Sequence, residues 1–141
     1  MSDTLYTAKA LSTGGGRDGH VATDDRKLDL ETRPPKEMGG SGEGTNPEQL
    51  ASAAWASCFN GALQLMLKQG GVKVEQTPEV EVTMSLNKGD DGLFLSATIS
   101  ATVFGVDQAT ADEYVQQAHQ FCPYSKAFRN NVEVEVTATA G

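Results

Sequence analysis

Two cysteines, Cys58 and Cys122, are the side chains of this sequence best suited to nucleophilic or redox chemistry. A thiol attacks as its thiolate, so a reactive cysteine needs something nearby that lowers its pKa. Cys58 falls in a run of small residues, with Ala51-Ser52-Ala53-Ala54 before it and Gly61-Ala62 after it. Cys122 stands in a separate segment, directly before Pro123. Each also reads as a small core residue, because free cysteine is among the most buried residue types. The pair is not a Cys-x-x-Cys, which excludes a thioredoxin-type motif. His20 and His119 do not join the cysteines at zinc-ligand spacing, so a metal site is not expected. Arg17 is one of few candidate cations for a thiolate. It is held out on the glycine turn Gly14-Gly15-Gly16-Arg17-Asp18-Gly19, where it also reads as a solvated loop charge.

The bulk properties narrow the setting of any such chemistry. A chain of 141 residues suits a single domain spanning 1–141, large enough to bury about 68% of its unfolded surface without a metal or a disulfide. The net charge of −8 leaves no basic stripe, which argues against nucleic acid or an anionic membrane as a partner. No apolar run approaches the ~18 residues of a membrane helix, and Met1 to Thr7 lacks a signal-peptide core, so a cytoplasmic location is expected. In a reducing cytosol two cysteines are seldom a structural staple. Gly39-Gly40-Ser41-Gly42-Glu43-Gly44 is glycine-rich, but no Gly-Lys-Ser/Thr follows it as a phosphate loop requires.

The elements that must position these residues follow from pattern. Thr4 to Ser12 suits a first strand, and His20–Thr23 and Leu28–Thr32 two more around an Asp24-Asp25-Arg26 turn. Asn46 can cap a helix, Pro47 fits its first position, and Gln49 completes a capping-box spacing. The helix runs to about Gln69, where Gly70-Gly71 stops it. Small or apolar residues on nearly every side predict that it is buried. Cys58 then lies about three turns in, too far for the helix N-terminus to lower its pKa much. Val80, Val82, Met84 and Leu86 alternate with polar residues. A turn at Asn87–Gly92 follows, and the alternation resumes from Leu93 to Val103. A second helix fits Asp107–Phe121, and Val132, Val134 and Val136 mark a last strand. The sum is an α+β fold, with antiparallel sheets packed around a buried central helix.

Three segments together resemble the organic hydroperoxide resistance (Ohr) branch of the Ohr/OsmC family. They are Gly16-Arg17-Asp18-Gly19 with Asp24-Asp25 and Leu28-Asp29-Leu30; Gly44-Thr45-Asn46-Pro47-Glu48-Gln49-Leu50 with Ala56-Ser57-Cys58-Phe59 and Gly61-Ala62-Leu63; and Cys122-Pro123-Tyr124-Ser125-Lys126-Ala127 with Arg129-Asn130. Ala51 and Trp55 depart from the residues usual in that family. The resemblance implies an intertwined homodimer of the OsmC-like type and a thiol peroxidase for organic hydroperoxides. In it Cys58 attacks the peroxide and becomes a sulfenic acid, and Cys122 resolves that acid to a disulfide. Arg17 stabilises the thiolate, and Glu48 holds the Arg17 guanidinium. No cofactor is bound; an external dithiol, typically a lipoyl group on a protein partner, reduces the disulfide.

Two other readings use the same residues: a noncatalytic small-ligand-binding dimer of this fold, and a redox sensor whose disulfide alters a partner contact. Trp55, Phe59, Leu63, Phe121 and Phe128 predict apolar surroundings for Cys58. Helix arithmetic adds a constraint of its own. Glu48 and Cys58 are ten residues apart on one helix, roughly 15 Å along its axis, which a glutamate cannot span. Two such helices packed antiparallel about a twofold axis would place Glu48 of one chain beside Cys58 of the other.

Overall fold

The computed structural model describes residues 2–141. It divides into two compact units, one ending at Leu50 and the other running from Ala51 to Gly141. The division falls inside a helix that begins in the first unit and continues into the second.

The first unit holds an antiparallel sheet in the order β1 (Ala10–Gly14), β2 (Gly19–Thr23) and β3 (Asp29–Thr32). The expected strand over Thr4–Ser12 therefore starts later, at Ala10. The reason is pairing: Ala10 lies opposite Thr23, the Lys9 carbonyl still accepts the Asp24 N–H at 3.2 Å, and the ladder ends there because the chain turns after Thr23. Leu5 and Tyr6 are accordingly exposed. Residues Lys36–Met38 form a short 3-10 turn after Pro34-Pro35. Thr45 then bridges Thr32 in parallel, with the Thr45 N–H donating to the Glu31 carbonyl at 2.9 Å. This bridge delivers the chain to the start of the long helix α1 (Pro47–Gln69).

The second unit combines strands of alternating burial with helices. Strands β4 (Glu79–Gly89) and β5 (Gly92–Val103) form a long hairpin closed by Asp90-Asp91. The expected turn over Asn87–Gly92 is tighter than the composition suggested, because Gly92 adopts a φ of 113° that only glycine takes readily. Strand β6 (Glu133–Ala140) lies on the other side of β5 and runs parallel to it, Ile99 opposite Val136. The second sheet is thus mixed rather than antiparallel. Its return path is made by α2 (Gln108–Phe121) and the short α3 (Pro123–Phe128), which the sequence did not announce. Asp107 caps α2 by accepting the Thr110 N–H at 2.8 Å.

Trp55, Phe59, Leu63 and Leu67 of α1 pack with Ile99, Ala101 and Val103 of β5 and with Ala111, Val115 and Ala118 of α2. These α1 positions recur every four residues and form one stripe. Ala53, Ser57, Gly61 and Gln64, off that stripe, are exposed. The expectation of a helix buried on all sides is therefore corrected for the single chain: one face is buried, and small residues dominate the open one. Among the described residues, no helix is long and apolar enough to cross a membrane.

Candidate active site

Arg17 is presented by a turn that backbone and side-chain bonds hold rigid. Gly16 has a φ of 73°, and a Cβ on Gly19 would meet the Thr13 carbonyl oxygen at 2.2 Å, so both positions require glycine. The buried Thr32 hydroxyl donates to the Gly16 carbonyl at 2.7 Å and accepts the Gly19 N–H at 3.0 Å. Arg33 donates to the Gly19 carbonyl at 2.9 Å. Thr32 and Arg33 thus lock the loop from β3, a role that residue type alone did not signal.

Glu48 is placed by the start of α1. Asn46, as the cap, accepts the Gln49 N–H on Oδ1 at 2.9 Å. The capping box is only half made: the Gln49 side chain accepts the Thr45 hydroxyl at 3.0 Å instead of reaching back to the Asn46 N–H. Arg17 and Glu48 meet as a bidentate pair, Nη1 to Oε2 at 3.0 Å and Nη2 to Oε1 at 2.7 Å. The geometry fixes the plane of the guanidinium. Arg17 holds the Glu48 carboxyl below the usual carboxylate range, by hydrogen bonding first and against the opposing effect of burial.

In the second unit Cys58 and Cys122 come together, their Sγ atoms 3.5 Å apart and both free thiols. Cys58 is half-buried; Cys122 is fully buried at the junction of α2 and α3. The Cys122 N–H donates to the Ala118 carbonyl at 2.8 Å, and its carbonyl accepts the Lys126 N–H at 3.0 Å, so each helix holds its backbone from one side. Burial pushes the Cys58 thiol up. The Cys122 side chain pushes it further, and a bond from the Tyr124 backbone opposes both.

The surroundings of Cys58 are apolar as expected, but most of the residues that make them so belong to the core and not to an open pocket wall. Trp55, Phe59 and Leu63 are core residues with no exposed surface, and Phe128 stacks on Trp55 at 4.8 Å between ring centroids. None of the three is open to a ligand. Of the five aromatic and aliphatic residues, Phe121 is the exposed one. It lines an open groove of about 470 Å³ with Met66, Gln116, Gln117, Gln120 and Lys126. Lys126 Nζ lies 5.9 Å from the Phe121 ring centroid.

Known proteins share both the sequence and the architecture. The OsmC-like protein family matches residues 40–137. An organic hydroperoxide resistance protein-like 2 of Staphylococcus epidermidis is 45% identical over 143 aligned positions, covering 99% of each chain. An organic hydroperoxide resistance protein-like of Staphylococcus aureus is 48% identical over 134 positions, covering 93% of each. The crystal structure of an organic hydroperoxide resistance protein from Legionella pneumophila superposes with a TM-score of 0.92 at 37% identity, covering 97% of this chain and 99% of that one. The chain therefore belongs to the OsmC-like protein family, and its relatives lie on the organic hydroperoxide resistance branch.

Proposed function

We propose that this chain serves organic hydroperoxide resistance as a thiol peroxidase with Cys58 as the attacking residue. The observation that carries the reading is the asymmetry of the thiol pair: Cys58 is partly open, Cys122 is closed, and their sulfurs are 3.5 Å apart. A peroxide can then reach one sulfur, and the oxidised product lies within reach of the other. The Cys58 thiolate attacks the distal oxygen of ROOH, the O–O bond breaks, and the alkoxide leaves as ROH after taking a proton. Cys58 becomes a sulfenic acid. The Cys122 sulfur displaces its hydroxyl as water, and a Cys58–Cys122 disulfide forms. An external dithiol, by family resemblance a lipoyl group, returns both to thiols; no bound cofactor is needed.

The Cys58 thiol, pushed up by burial, needs a cation to react as a thiolate. Arg17 is that cation in our reading, with its guanidinium fixed by Glu48. It also stabilises charge developing on the leaving oxygen. The length of α1 between Glu48 and Cys58 favours a homodimer in which the Arg17–Glu48 pair of one chain serves Cys58 of the other. A reducing cytoplasm keeps the thiols ready for this chemistry.

The test is stoichiometric. Reduced protein mixed with one equivalent of cumene hydroperoxide should lose both free thiols, and should do so faster than with hydrogen peroxide. Retention of both thiols would reject the peroxidase reading. A preference for hydrogen peroxide would reject an apolar substrate.

A further inference from the structure

Trp55 stands three residues before Cys58, and Ser125 three residues after Cys122. Trp55 Nε1 donates to Ser125 Oγ at 3.0 Å, and neither residue has any exposed surface. On α1 the spacing of three puts the indole and the Cys58 thiol on neighbouring turns of one side. The two helices are thus joined by successive rungs: Cys58 to Cys122, Trp55 to Ser125, and the Trp55 ring to the Phe128 ring. The lower two pin α3 to α1. Cys122 is tied to both helices, its N–H to the Ala118 carbonyl of α2 and its carbonyl to the Lys126 N–H in the first turn of α3, so a shift of α3 pulls on it.

We propose that Trp55 and Ser125 are positioning residues for disulfide formation, their buried hydrogen bond holding Cys122 against Cys58. The inference rests on the peroxidase reading and concerns only its second step. Sulfurs that start 3.5 Å apart must close by roughly 1.5 Å to reach a disulfide length. Rotation of the two thiols can supply that distance only while the backbones stay in place. A slide of α3 by about 1 Å would lengthen that closure to roughly 2.5 Å, and misplacement on that scale can cost a reaction about 100-fold. Peroxide attack at Cys58 needs no closure of the two sulfurs; α3 touches that step through the Tyr124 backbone, which favours the Cys58 thiolate, so the first step depends on the clamp less than the second. The bond is not required for folding as such: removing both partners of a buried hydrogen bond is often close to neutral for stability.

The experiment separates the two steps by stopped flow on the full chain with cumene hydroperoxide. The first step is followed by consumption of the hydroperoxide, and the disulfide by loss of the second thiol. Ser125→Ala should leave the first step within about twofold of the parent and slow disulfide formation by about 10- to 100-fold. Ser125→Thr, which restores an acceptor hydroxyl, should recover most of that loss. Should the orphaned indole N–H prevent Ser125→Ala from folding, the double variant Trp55→Phe/Ser125→Ala, with neither partner left, takes its place and should show the same selective slowing. Disulfide formation at the parent rate in a folded variant would overturn the proposal, and so would equal slowing of both steps. If the parent itself consumes no hydroperoxide and keeps both thiols, the peroxidase reading fails instead, and the two failures are told apart.

Discussion

Replacing Glu48 by Gln removes one negative charge from the Arg17 pair and leaves most of its shape. Two charge-assisted bonds at 2.7 and 3.0 Å are at stake, and the amide can still accept one of them. A buried bond to a charged group contributes about 1.5–3 kcal/mol. Here the Arg17 side chain is 41% exposed and that of Glu48 15%, so water screens the pair toward the ~1 kcal/mol of an exposed bridge. At this chain length about 1 kcal/mol corresponds to roughly 3 °C in Tm. Glu48→Gln should therefore melt about 3 °C below the parent at pH 7. The pH dependence follows from the lowered carboxyl pKa. A depressed acid contributes its stability above its unfolded pKa and loses it as pH falls through the folded value. The gap between parent and variant should thus close in acid, where the parent's Glu48 is itself protonated. Thermal melts of both proteins from pH 7 to pH 3 provide the assay. A constant deficit across that range, or none at pH 7, would refute an electrostatic role for the pair.

Arg17→Gln should shift the pH profile of Cys58 alkylation by iodoacetamide to higher pH, because a thiol already raised by burial would lose its cation; an unmoved profile would detach Arg17 from Cys58. Leu63→Ala, at a fully buried core position, should cost about 3 kcal/mol, roughly 10 °C in Tm, as read by the same melts. Mixing inactive Cys58→Ser and Glu48→Ala chains under exchange conditions should restore activity if the site is shared between subunits, since each heterodimer then carries one intact site. No recovery after proven exchange would place all groups in one chain.

The parts of the fold that the sequence made legible are those written locally. Asn46, Pro47 and Gly70 bracket α1 as observed, and the alternation of Val80, Val82 and Met84 gives β4 its two faces. Alternation says which face a residue takes but not which strand lies beside it, so the parallel pairing of β6 with β5 was not foreseeable. Helix α3 was hidden because Cys122-Pro123 reads as a stop, although proline is also suited to a first helical turn. The apolar character of Trp55, Phe59 and Leu63 was legible, but their use in the core rather than at an open surface depends on the packing of α1 against β5 and α2. Of the site residues, Cys58 meets Cys122 and Arg17 meets Glu48, the contacts that the family resemblance implied. The locks behind them, Thr32 on the Arg17 turn and Ser125 on Trp55, join residues far apart in the chain and leave no local signal.

The division of labour between the thiols is tested most directly by intact mass of the Cys122→Ser protein after one equivalent of cumene hydroperoxide in the presence of dimedone. The account predicts consumption of the peroxide and a single dimedone adduct mapping to Cys58, while Cys58→Ser consumes none. An adduct at another residue, or peroxide turnover by Cys58→Ser, would contradict it.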